Sequence, residues 1–139
     1  MVTVADLMTA NPCAVSPETP LIDVLGMMKT HQCRQLPVVL ETGELVGIIT
    51  DRDVRLALNS PLTLHERTDD ITLLQTVTVE ACMTPDPLTV EPDTPAVKAA
   101  ELLYRHKFGA LPVVVEDKVV GIITVTDLLR YMVESNKPG

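Results

Sequence analysis

The sequence predicts a mixed α/β (α+β) fold of two β-α-β-β-α units that pack through their sheets about a pseudo-two-fold axis. Three observations predict it. An internal repeat runs through nearly the whole chain, each copy carries a helical apolar pattern opened by Thr-Pro, and each copy carries two short apolar runs joined by a turn. Met8-Thr9-x-x-Pro12-x-x-Val15-x-Pro17-x-Thr19-Pro20 recurs as Met83-Thr84-x-x-Pro87-x-x-Val90-x-Pro92-x-Thr94-Pro95. Leu36-Pro37-Val38-Val39 recurs as Leu111-Pro112-Val113-Val114, and Val46-Gly47-Ile48-Ile49-Thr50-x-x-Asp53 as Val120-Gly121-Ile122-Ile123-Thr124-x-x-Asp127. The offset is 75 residues before Gly43 (Met8 to Met83) and 74 after it (Val46 to Val120), so the second copy has lost one turn residue. Two such copies fold alike, and any site built by one should occur in the other.

Thr19 and Thr94 suit helix N-caps, with Pro20 and Pro95 at the first helical position, where a missing N–H costs nothing. The helix from Pro20 to about His31 then gathers Leu21, Val24, Leu25 and Met28 on one face. Its copy gathers Ala96, Ala99, Ala100 and Leu103, and His31 and His106 sit at corresponding helix ends, where histidines commonly meet terminal carbonyls. The apolar runs Leu36–Leu40 and Leu45–Thr50 form a hairpin around Glu41-Thr42-Gly43-Glu44, with Gly43 free to take positive φ. The second hairpin joins Leu111–Val115 to Val119–Thr124 through Glu116-Asp117-Lys118. Final helices run from about Asp51 to Leu58 and from Val125 to Val133. The strands are almost wholly apolar, which predicts cover on both faces: helices on one, the other unit's sheet on the second. A single copy of about 55 residues would be marginal alone.

These limits give a first motif over residues 1–58, a connecting segment over 59–78 and a second motif over 79–139. The connection has a polar middle at Arg67, Asp69 and Asp70. Leu62, Leu64, Ile71, Leu73 and Leu74 are too apolar for a solvated linker, so it packs over the core or serves a partner.

Composition narrows the function. Of 139 residues 46% are apolar and only 2% aromatic, so Val, Ile, Leu and Met fill the core. No apolar run reaches the ~18 residues of a membrane span, and the start carries no basic, apolar leader pattern; the expected setting is cytoplasmic, away from membranes. The net charge of −8 repels phosphate backbones and argues against nucleic-acid binding. Cys13, Cys33 and Cys82 are odd in number and widely spaced, which fits buried free thiols rather than disulfides or zinc. No H-x-x-x-H, G-x-S-x-G or P-loop occurs, so neither a metal centre nor a catalytic site is expected and no catalytic cofactor is implied.

The T-x-x-D block has two physical uses. Thr50 with Asp53, and Thr124 with Asp127, fit a capping box at the start of a helix. The same groups suit a nucleotide: one carboxylate accepts both donors of a ribose diol, and a helix N-terminus favours phosphate.

The paired M-T-x-x-P, L-P-V-V and G-h-h-T-x-x-D motifs (h, apolar) resemble the CBS motif, over about residues 4–58 and 79–134. Two in tandem resemble a Bateman module. The resemblance implies a regulatory module that holds an adenosyl ligand, AMP, ADP, ATP or S-adenosylmethionine, in clefts between its motifs. It further implies a homodimer, and output through a regulated protein in trans. It assigns the ribose hydroxyls to Asp53 and Asp127, and a contact with ribose or phosphate to Thr50 and Thr124. Backbone groups at Ala14, Val15, Leu36 and Pro37, and at Ala110, Leu111 and Pro112, would read the adenine edge. Arg34 and Arg52 are candidate phosphate contacts, with exposed salt-bridging arginines as the plain alternative. In the second copy Gly109 and Thr126 replace these arginines, which predicts unequal sites, the first preferring the more anionic ligand. Phe108 is expected in the core. The competing function is a structural dimerisation module in which T-x-x-D is only a cap.

Overall fold

The structure, a computed structural model, describes residues 1–58 and 67–136, and the side chains of all of these but 67–70. Leu62, Leu64 and His65 of the connecting segment lie outside the described residues, as do the side chains of Arg67, Asp69 and Asp70. The elements in chain order are α1 (Val4–Leu7), β1 (Thr9–Ala10), α2 (Leu21–His31), β2 (Gln35–Val39), β3 (Leu45–Thr50) and α3 (Asp51–Leu58). They continue as α4 (Arg67–Thr76), α5 (Val79–Cys82), β4 (Thr84–Pro85), α6 (Ala96–His106), β5 (Ala110–Val115), β6 (Lys118–Thr124) and α7 (Val125–Ser135). The fold is mixed helix and strand with two three-stranded sheets.

The compact units do not follow the repeat boundaries. Unit I is Cys13–Asp86, and unit II is Met1–Pro12 with the chain from Pro87 onward. In unit I the β2–β3 hairpin takes β4 as its third strand, with Ile48 opposite Thr84. In unit II the β5–β6 hairpin takes β1, with Ile122 opposite Thr9. The short Met-Thr strand of each repeat therefore completes the sheet of the other repeat's hairpin. Glycine makes this pairing close. A Cβ on Gly47 would stand 2.6 Å from Met83 Sδ and 3.0 Å from the Thr84 carbonyl oxygen, and one on Gly121 would meet Met8 and Thr9 in the same way.

The hairpin turns explain the lost residue. Gly43 takes φ 88° in the longer first turn. In the second, Glu116 (φ 52°) and Asp117 (φ 68°) both adopt the left-handed conformation that a tight two-residue turn between twisted strands demands.

Each unit has its own core. That of unit I contains Val15, Leu21, Val24, Met28, Leu36, Val38, Ile49, Val54 and Val79. That of unit II contains Val4, Val90, Ala99, Leu103, Leu111, Val113 and Ile123. The apolar faces expected for the helices are the buried ones, with Leu25 and Ala100 only partly covered. The connection is not a plain loop, since Arg67–Thr76 is helical and Leu74 and Val77 pack on unit I's core.

The expected caps of α2 and α6 are corrected. Both helices begin one residue later, with Pro20 and Pro95 as N-caps. The Thr19 hydroxyl instead accepts from the Ser16 N–H (3.1 Å) and the Thr94 hydroxyl from the Glu91 N–H (3.0 Å). The reason is that Pro20 is extended and bridges Thr78, as Pro95 bridges Thr3, so each threonine closes the turn before the helix rather than the helix itself.

Candidate functional site

Each unit presents the same local arrangement: the open end of a hairpin, the helix that leaves it, and a strand-like edge beside it. In unit I the β2–β3 register sets Gln35 opposite Thr50, and the Asp51 N–H donates to the Arg34 carbonyl (3.0 Å). The register thus brings Arg34, Thr50, Arg52 and Asp53 to one end of the hairpin. Ala14-Val15 forms the neighbouring edge. The Val15 N–H donates to Pro37 O (3.0 Å) and the Val39 N–H to Val15 O (2.8 Å), while the Ala14 backbone bonds to no described residue. Leu36 and Pro37 are buried, and the Pro37 carbonyl is the one that holds Val15.

Unit II repeats this geometry. Ala110 lies opposite Thr124, and the Val125 N–H donates to Gly109 O (3.1 Å). The Val90 N–H donates to Pro112 O (3.1 Å), in place of Val15. Ala110, Leu111 and Pro112 are buried, and Thr126 is exposed on the first turn of α7.

Both T-x-x-D blocks form capping boxes. The Thr50 N–H donates to Asp53 Oδ2 (2.9 Å) and the Asp53 N–H to Thr50 Oγ1 (3.1 Å). The Thr124 N–H donates to Asp127 Oδ2 (2.9 Å) and the Asp127 N–H to Thr124 Oγ1 (3.1 Å). The cap uses one carboxylate oxygen of each aspartate; the second oxygen of Asp53 accepts from no described residue, whereas that of Asp127 accepts from Arg130 Nη2 (2.6 Å). Arg34 and Arg52 are exposed and pair with no carboxylate among the described residues.

Some neighbours were not foreseen. Phe108 is exposed rather than in the core, and stacks on His106 with ring centroids 5.3 Å apart and planes 17° apart. Lys107 takes a left-handed conformation (φ 58°) that ends α6 and turns the chain outward before Phe108. Among the described residues His31 caps no carbonyl; its Nε2 lies 3.2 Å from Cys13 Sγ. Among the described residues no cluster of three His, Cys, Asp or Glu is placed to hold a metal, and no helix is long and apolar enough to cross a membrane.

All three cysteines are free and only partly buried. Burial pushes the Cys33 thiol up, with Cys13 adding to it. Burial also raises Cys82, and the charge of Asp53, on the helix α3 against which α5 packs, raises it further. A raised folded-state pKa favours folding below the ordinary thiol value and ceases to do so as pH climbs through the raised one. Iodoacetamide labelling of Cys82 is therefore expected to turn on above the ordinary thiol value of 9.0. Asp53→Asn should move that profile downward and leave Cys33 in place; a Cys82 profile at the ordinary value in the wild type would contradict this environment.

Comparison with known proteins follows the repeat. The family model described as the CBS domain matches residues 4–60 and 79–134. A CBS domain-containing protein of Dictyostelium discoideum is 34% identical over 138 residues, 99% of this chain and 95% of that protein. Among solved structures, CBSX2 in complex with AMP superposes with a TM-score of 0.82 at 32% identity, covering 99% of this chain and 100% of that one. The CBS domain pair of MJ0100, in complex with 5′-methylthioadenosine and S-adenosyl-L-methionine, gives a TM-score of 0.84 at 26% identity, with 98% and 99% covered.

Proposed function

We propose that this chain, which belongs to the CBS-domain family and carries two of its motifs in tandem, is a regulatory module that binds an adenosyl ligand and catalyses nothing itself. The ligand is AMP, ADP, ATP or S-adenosylmethionine. The ribose diol lies on Asp53 and Thr50, and on Asp127 and Thr124 where that site is used. Arg34 and Arg52 meet phosphate, and the backbone at Ala14-Val15 and Leu36-Pro37, or Ala110-Leu111-Pro112, meets adenine. Occupancy is passed to a regulated protein in trans by a homodimer of this chain in the cytoplasm.

The observation that carries this reading is the hairpin end of unit I. There a capping carboxylate whose second oxygen accepts from no described residue sits at a helix start, with Arg34, just before β2, and Arg52, on α3, both exposed and pairing with no carboxylate among the described residues. A diol gives the carboxylate two charge-assisted hydrogen bonds, and the helix N-terminus and arginines answer a phosphate. The two neighbours with adenosyl ligands support the ligand class. A ligand can signal only by binding two states of the module unequally.

The scaffold reading has one observation in its favour: each Thr-Asp pair already has a structural use in its capping box. Titration calorimetry separates the two. Wild type is expected to bind AMP, ATP or S-adenosylmethionine. Asp53→Ala should weaken that binding on the order of 100-fold, since a diol loses two hydrogen bonds to a charged acceptor. The lost cap should cost only about 1 kcal/mol of stability. A wild type that binds none of these ligands leaves the scaffold.

A further inference from the structure

The two capping carboxylates are not equivalent. Asp127 is only 5% exposed, and both of its oxygens are engaged: Oδ2 by the Thr124 N–H, and Oδ1 by Arg130 Nη2 at 2.6 Å. Arg130 stands one helical turn further along α7, at the i+3 position that faces Asp127. In unit I the matching position on α3 is Leu56, 60% exposed. Asp53 is accordingly only partly buried, and its Oδ1 accepts from no described residue. The two helix starts share cap geometry to within a tenth of an ångström, so the difference lies in what position 56 or 130 supplies.

We infer that Arg130 is a specificity-determining residue that withholds the Asp127 carboxylate from a ribose diol, so that the module takes its first nucleotide at Asp53. This rests on the regulatory reading above and deepens it. A diol needs acceptor capacity on the outward oxygen. At Asp53 that oxygen is available. At Asp127 it is spent on a short, charge-assisted bond that also neutralises a nearly buried charge, and a diol, being uncharged, cannot replace the cation it displaces. The phosphate side points the same way, since Arg34 and Arg52 of unit I correspond to Gly109 and Thr126 of unit II. Occupancy of the second site would require the guanidinium, which is half exposed, to swing outward.

The test exchanges the two residues and uses AMP as the probe, with calorimetric and native mass-spectrometric counting of bound ligand. Wild type should hold one AMP per chain, with a second at least about tenfold weaker. Arg130→Leu, checked for folding by circular dichroism, should raise the second affinity to within about threefold of the first. Leu56→Arg, at an exposed position where folding is not at issue, should weaken the first by about tenfold or more, although it adds positive charge. Two equal sites in the wild type, a folded Arg130→Leu protein that still holds one AMP, or a Leu56→Arg protein that binds AMP as well or better would each overturn the assignment while leaving the regulatory reading intact. Failure of the wild type and both variants to bind AMP overturns the assignment, and the regulatory reading falls with it only if ATP and S-adenosylmethionine also fail to bind the wild type.

Discussion

Val4→Asp is expected to cost at least about 4 kcal/mol of stability. The residue is wholly buried in the core of unit II, with Val90, Leu103, Leu111 and Ile123. Leu7 and Met8 pack beside it, and its N–H donates to Thr94 O (2.8 Å). Burying a valine contributes about 1.5–3 kcal/mol, and placing a carboxylate there adds several more for an ion with no partner. Natural domains hold only about 5–15 kcal/mol in total. The start of the first repeat is thus core material for the second repeat's hairpin. Urea denaturation checks this, with Ala5→Asp as the exposed control, expected within about 0.5 kcal/mol of wild type. A Val4→Asp midpoint close to that of the control would mean that α1 does not anchor unit II.

That exchange of segments is also what the sequence did not disclose. The hairpins were legible because apolar runs bounded by Glu41-Thr42-Gly43-Glu44 or Glu116-Asp117 admit little else. The final helices were legible because T-x-x-D marks a helix start under either of its two uses. Thr9-Ala10 and Thr84-Pro85 are two-residue strands, too short to carry a period. The copies are so alike that the Met-Thr segment of either repeat fits either hairpin, and nothing local says which it joins. The helix Arg67–Thr76 was obscured by its threonines and acidic residues, which have weak helix propensity; the packing of Leu74 on unit I's core overrides it. At the candidate site the repeat marks Thr50 and Asp53, whereas Arg34 and Arg52, which the second copy lacks, follow only from the CBS resemblance. Arg130 was visible three residues beyond Asp127, where helical spacing predicts a pair, but the motif stops at the aspartate. Cys82 could not have been placed near Asp53 from sequence, since only the packing of α5 against α3 brings them together.

Leu111→Ala is expected to destabilise the protein by about 4 kcal/mol and Leu36→Ala by about 2.5 kcal/mol, although the two leucines are copies of one repeat position. Both are buried essentially completely. Leu36 pairs with Ile49 across its hairpin, and Leu111 with Ile123. The surroundings differ in what can move into the void. Unit I faces Leu36 with an α2 stripe of Leu21, Val24 and Met28, and an unbranched methionine adapts readily to a gap. Unit II presents an α6 stripe of Ala96, Ala99 and Leu103, and an alanine has no side chain with which to follow. The cost of a large-to-small change grows with the cavity that remains, so the alanine-lined site should lose more. Urea midpoints of the two variants decide it; equal losses, or a greater loss for Leu36→Ala, would show that methionine does not relax into the space. The same substitutions bear on the proposed binding of an adenosyl ligand. Leu36-Pro37 and Leu111-Pro112 carry the carbonyls that hold Val15 and Val90. A strand that settles into a cavity therefore shifts the edge proposed to read adenine. AMP affinity should consequently fall in Leu36→Ala even under conditions where the variant is fully folded, because the site proposed to fill first is built on that strand.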